Sequence, residues 1–197
     1  MTRIAHDPGH GYGDDRGCSE NGVVESDVVL SVTTDIVNGI PWAQHQMLRR
    51  TLVGPSYIDR AQAALRLRPA VVLCHHINAS QDPADRGTIT FYDQGDAMGQ
   101  AVAEAITRAA PGALHRAING IFPAKPPPDW TGRAHWVIDH YRSLGLACCL
   151  IEWGFATNTH DAAILLNPLC RAGIVAAAAA GIACAMDLSS TDNTCKE

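Results

Sequence analysis

Residue types able to hold a metal or move a proton gather at four places in the sequence. These are His10 in HDPGHG (6–11), Glu20 and Glu25 in SENGVVES (19–26), His75 and His76 in CHHIN (74–78), and Glu152 in CLIEW (149–153). Two imidazoles and a carboxylate make a catalytic zinc set with a fourth position left for water. A further carboxylate kept off the metal can serve as general base. Neighbouring strand residues face opposite ways, so His75 and His76 should not both reach one ion. Periodicity does not choose between them, nor between Glu20 and Glu25.

The groups converge only if the chain brings them to one sheet edge. Arg3–Ala5 reads as the tail of a first strand, interrupted by Pro8 and Gly9 because proline lacks a ladder donor and glycine tolerates turn dihedrals. Apolar residues at helical spacing (Val29, Val32, Ile36, Val37, Ile40) predict a helix over Val23–Ile40, capped by Asn21 or Ser19 and ended by Gly39 and Pro41. Further helices are expected over Tyr57–Leu67, Asp96–Ala109, Gly132–Leu144 and Asn167–Leu188. Strands are expected over 69–78, 87–93 and 147–153, the second nearer an edge. The stretch Pro111–Thr131, with its Pro126–Pro128 run, reads as a rigid loop. Strands alternating with helices imply a single-domain α/β three-layer sandwich, a mostly parallel twisted sheet with helices on both faces. Parallel topology sets the strand ends, and so the candidate groups, on one edge. The domain spans 1–188, and 189–197 reads as a polar tail.

The chain has 197 residues and a net charge of −5, which argues against nucleic acid as the main partner. Seven scattered cysteines with no CxxC pair fit folding in a reducing compartment. The most apolar segment, Gly173–Met186, has 14 residues, short of the roughly 18 that span a bilayer. It is read as a buried helix, with no membrane insertion. A first strand at Arg3 leaves no room for a secretory leader.

Together the motifs resemble the zinc-dependent N-acetylmuramoyl-L-alanine amidases over roughly residues 3–187. HDPGHG resembles the family's DPGHGG, whose histidine, here His10, binds zinc. NGVVESDVVL resembles NGxxEkxxnL and assigns the metal carboxylate to Glu25. CHHINAS is similar to SxHxNA, which selects His76 and makes Asn78 the neighbouring asparagine. LIEWGFATN resembles LvExGFxsN, whose glutamate, here Glu152, is the catalytic carboxylate, with Asn158 closing the motif. Arg60 in YIDRAQAA matches the arginine of the preceding helix. Cys18 and Cys74 depart from the family, standing where a small residue and a serine are usual.

The resemblance implies one Zn²⁺ per chain on His10, Glu25 and His76, with Glu152 as general base. The substrate would be the amide joining the lactyl group of N-acetylmuramic acid to L-alanine in peptidoglycan. A monomeric lytic enzyme similar to a phage endolysin is implied, made in the cytoplasm and reaching the wall after release, or secreted if a leader preceded Met1. The competing readings are another zinc peptidoglycan peptidase and a catalytically silent wall-binding module. No GxSxG elbow or HExxH helix is present. Gly9, Gly11 and Gly13 do not open a helix as a dinucleotide turn requires. His135 and Asp139 are expected on a solvated face rather than at a second metal, and His75, His115, His140 and His160 at the surface or behind the site.

Overall fold

The computed structural model describes residues 2–110, 120–123 and 134–194. Its main sheet has six strands: β1 (Arg3–Pro8), β4 (Gln44–Met47), β5 (Val71–Asn78), β6 (Ile89–Tyr92), β7 (Gly120–Pro123) and β8 (Cys148–Phe155), in the order β4-β1-β5-β8-β6-β7. All neighbours run parallel except β6 and β8. A small antiparallel hairpin, β2 (Ser19–Glu20) and β3 (Val23–Val24), precedes the first helix.

The central strands β5 and β8 are apolar on both faces, as a sheet covered on both sides requires. One face (Ile4, Leu73, Cys149, Ile151, Trp153) packs against α1 (Glu25–Gly39), α3 (Ala97–Ala109), α5 (Thr159–Leu166) and α6 (Ala172–Thr194). The other (Ala5, Val72, Cys74, Cys148, Leu150) packs against α2 (Tyr57–Leu67) and α4 (Ala134–Ser143). This is the expected three-layer α/β sandwich.

Several boundaries differ from the sequence reading. The first helix begins at Glu25, and its N-cap, Val24, makes no side-chain cap. Asn21 and Gly22, with φ of 49° and 80°, instead form the hairpin turn, and the Asn21 amide donates to the Ala156 carbonyl. The NG pair is a strong signal for such a turn, because both central residues need positive φ. Within the expected 111–131 loop, β7 forms a strand that pairs with β6 and becomes the sheet's edge, leaving β6 next to that edge, in keeping with its expected place. His115 and Pro126–Pro128 lie outside the described residues, as does the side chain of His135.

Where one helix over Asn167–Leu188 is expected, the chain forms a 3₁₀ turn at Pro168–Cys170 followed by α6, and α5 precedes them as a helix the sequence reading did not anticipate. Asn167 caps the 3₁₀ turn from extended backbone, its Oδ1 accepting the Leu169 N–H with Pro168 in the first turn, and Arg171 ends that turn before α6 begins. Helix α6 continues to Thr194, into the expected tail. Over Ala172–Thr191 it is long and apolar enough to cross a membrane by length and composition, longer than the 14-residue segment suggested. Its Ala177, Ala178, Ile182 and Ala185 are fully buried in the core shared with α1 and α3.

Candidate metal centre

The ends of β1, β5 and β8 carry the site. His76 and Glu152 are register partners on adjacent strands, so both side chains project from the same face. His10 lies just beyond β1 in a left-handed conformation, φ 59°. Glu25 opens α1, where the helix dipole favours a carboxylate.

Glu25 Oε1 lies 3.1 Å from His10 Nε2 and 3.1 Å from His76 Nδ1. It also accepts the Ile77 backbone N–H at 3.0 Å, while Oε2 accepts that of Cys18 at 2.9 Å. One potential ligand atom from each of His10, Glu25 and His76 falls within 4.8 Å of the others, a grouping able to hold a metal ion. Two backbone positions must stay bare for this. A Cβ on Gly9 would sit 2.3 Å from the His76 ring, and one on Gly17 would sit 2.4 Å from Glu25 Oε2.

His10 Nδ1 lies 2.9 Å from Asp15 Oδ1, which orients the ring and leaves Nε2 facing Glu25. Such carboxylate–histidine pairs are common behind metal-ligating imidazoles. The Tyr57 hydroxyl accepts the His10 backbone N–H at 2.8 Å and lies 3.5 Å from Asp15 Oδ2. Burial alone would raise the Glu25 carboxyl, but the His10 and His76 hydrogen bonds hold it well below the usual carboxylate range. Burial works against the charged His10 ring, yet Glu25 and Asp15 raise its pKa. The opposite holds for Glu152. Its Oε2 is buried with no hydrogen-bond partner among the described residues, and burial together with the Glu25 charge pushes its pKa well above the usual range. One buried carboxylate is therefore kept charged and its neighbour pushed toward the neutral form.

The donor set suits zinc. Two imidazoles and one carboxylate match its preferred N/O ligands, whereas hard cations such as Ca²⁺ and Mg²⁺ favour all-oxygen shells. Among the described residues, His76 Nε2 and Glu152 Oε2 are buried polar atoms without a partner, as expected where the protein's own groups do not complete a site.

A model of the family Amidase_3, N-acetylmuramoyl-L-alanine amidase, matches residues 4–184. The chain belongs to this family. Solved amidase structures share its fold. The catalytic domain of CwlV from Paenibacillus polymyxa is 21% identical with a TM-score of 0.76, the match covering 95% of this chain and 99% of that one. AmiC2 of Nostoc punctiforme is 22% identical with a TM-score of 0.75, covering 92% and 94%. An amidase from Clostridium difficile 630 is 22% identical with a TM-score of 0.77, covering 94% and 97%. No curated protein matches the chain.

In this Amidase_3 chain the other candidate residues sit in supporting positions. Arg60 is fully buried and donates to Asp7 Oδ1 (3.0 Å), to the carbonyls of Pro8 (2.9 Å) and Pro55 (2.9 Å), and to that of His10 at 2.5 Å. Asn78 closes the turn after β5, its Oδ1 accepting the Ala79 N–H. Asn158 caps α5, accepting from the backbone of His160 and Asp161 and donating to the Pro83 carbonyl. The Cys18 thiol, raised by burial and then by the Glu25 charge, points toward the carbonyl of Ile77 at 3.5 Å. Cys74 lies 3.5 Å from Cys148 in the core.

His75 is not at the surface. It is fully buried on the opposite face from His76. The Trp153 indole N–H donates to His75 Nδ1 at 3.0 Å, which fixes the His75 proton on Nε2. That proton points at His6 Nδ1, 3.0 Å away, and His6 Nε2 in turn lies 2.9 Å from His45 Nδ1. His45 Nε2 ends the chain on the Ile40 carbonyl at 2.7 Å. One neutral tautomer at each ring satisfies every bond. Burial, then the neighbouring His76, accordingly lowers His75 to about 3.

Asp15, Tyr57 and the His6–His75 chain were not singled out from sequence. Asp15 follows His10 by five residues in a loop whose fold gives it meaning, and DDRG carries no signal of its own. Tyr57 opens a recognised helix, but an aromatic there reads as core.

Proposed function

We propose that this chain is a zinc-dependent N-acetylmuramoyl-L-alanine amidase. It would hydrolyse the amide between the lactyl group of N-acetylmuramic acid and the L-alanine of the stem peptide. One observation carries the reading: a His10–Glu25–His76 set, its Glu25 and His76 buried and His10 half-buried, with Glu152 beside it, in a chain of the Amidase_3 family.

His10, Glu25 and His76 would hold the ion, which supplies Lewis-acid chemistry, polarising a carbonyl and lowering the pKa of water. Glu152 takes the proton of the attacking water and returns it to the leaving alanine nitrogen. Its raised pKa in the protein alone keeps it a strong enough base once a neighbouring dication favours its charged form. Asp15 holds the His10 ring in the orientation that turns Nε2 to the site. Products are a lactyl-bearing sugar and a free stem peptide.

For the setting, we propose a bacteriolytic, endolysin-like role for a monomer that meets the wall after release from the cytoplasm. The free thiols of Cys18, Cys74, Cys148, Cys149, Cys170 and Cys184 fit folding in a reducing compartment.

Product analysis tests the reading. Digests of purified muramyl peptide should gain free N-terminal alanine and intact stem peptides, detected by mass spectrometry. New termini inside the stem would point to a peptidase, and binding without any cleavage to a silent wall module.

A further inference from the structure

Arg49, just after β4, is 1% exposed, and among the described residues it has no carboxylate within ion-pairing distance. A buried guanidinium without an anion is costly unless its donors are met. Here carbonyls meet them. Nε donates to Pro8 O at 3.0 Å, Nη1 to Thr51 O at 2.9 Å, and Nη2 to both Gly9 O at 2.9 Å and Ser26 O at 2.7 Å.

The identity of those acceptors is the point. Pro8 and Gly9 immediately precede His10, and Ser26 immediately follows Glu25. The other buried arginine of this region, Arg60, binds Asp7 and the carbonyls of Pro8, His10 and Pro55, and so touches only the His10 side. Arg49 alone of the two ties the segment carrying one ligand to the helix turn carrying the other. The surrounding loops are shaped to it. A Cβ on Gly54 would lie 2.6 Å from Arg49 Cγ, one on Gly11 would lie 2.9 Å from Nη1, and Gly54 N–H donates to Gly11 O at 2.7 Å.

We infer that Arg49 is a positioning residue that sets the spacing of His10 and Glu25, and thereby the metal affinity of the site. The planar fork matters, because it reaches four carbonyls on three segments at once, which a lysine ammonium cannot reproduce. The inference rests on the reading that His10, Glu25 and His76 hold zinc.

The test measures zinc affinity by competition with a chromophoric chelator, the visible spectrum of the cobalt-substituted protein, and thermal unfolding of the metal-free protein. Arg49→Met should weaken zinc binding by about 10–100-fold, the usual cost of losing an outer-shell partner, and shift the cobalt bands. Arg49→Lys should recover part of the affinity. A folded Arg49→Met protein with wild-type affinity and cobalt spectrum would overturn the inference, since a purely structural arginine would change only unfolding. If Arg49→Met does not fold, Gly54→Ala, whose methyl displaces the arginine without removing it, must weaken affinity in the same direction or the inference fails. Wild-type protein that binds no zinc would instead defeat the metal reading itself.

Discussion

Glu152→Gln should retain its zinc and its fold while losing roughly 10²–10⁴ in turnover, the usual contribution of a positioned general base. The amide has the carboxyl's shape and can occupy the same slot beside His76 on the neighbouring strand. It leaves no buried charge, so the protein should be at least as stable as wild type; the Glu152 carboxyl is already pushed toward its neutral form by burial and by Glu25. What it cannot do is accept the water proton. Release of N-terminal alanine, measured beside zinc content, checks this. A variant without zinc would make Glu152 a ligand, and a fully active one would place the base elsewhere.

Glu25→Ala should behave in the opposite way and purify largely without zinc. Glu25 is the hub of the site, with one oxygen facing both imidazoles. Removing it deletes one of three proposed ligands and strips both rings of their acceptor. It also leaves the Ile77 and Cys18 backbone N–H groups without the carboxylate they donate to, at about 1–3 kcal/mol for each group left buried and unmet. Metal analysis and unfolding measurements together separate this variant from Glu152→Gln: the first should lose metal and some stability, the second only turnover.

The contrast between these two glutamates shows how far the sequence could be read. That three polar clusters sit at strand ends of an α/β sheet, and a fourth at the start of the first helix, follows from period and composition, and the strands and helices bearing them appear within a few residues of their expected bounds. Which histidine of the 75–76 pair reaches the site does not follow, because alternation fixes only that they diverge. The register of β5 against β8, which sets His76 beside Glu152, is a tertiary fact. The hairpin at Asn21–Gly22 was legible in principle, yet the helical periodicity downstream suggested a cap instead. Helix α5 escaped notice because it is short and its Asn158 cap lies inside a motif read for chemistry. The roles of Asp15 and Arg49 are invisible in the chain order. Their partners lie in loops, and only the folded chain reveals that the backbone of Pro8 and Gly9 and the first turn of α1 share one guanidinium.

The central claim is that one metal sits among His10, Glu25 and His76. Anomalous X-ray scattering from crystals of the protein as purified, recorded above and below the zinc edge, tests it most directly. The account predicts a single zinc peak per chain, roughly 2.0–2.2 Å from a ring nitrogen of each histidine and from a Glu25 oxygen, with Glu152 nearby but unbound. Active protein whose crystals carry no zinc peak, or carry it away from these three side chains, would contradict it.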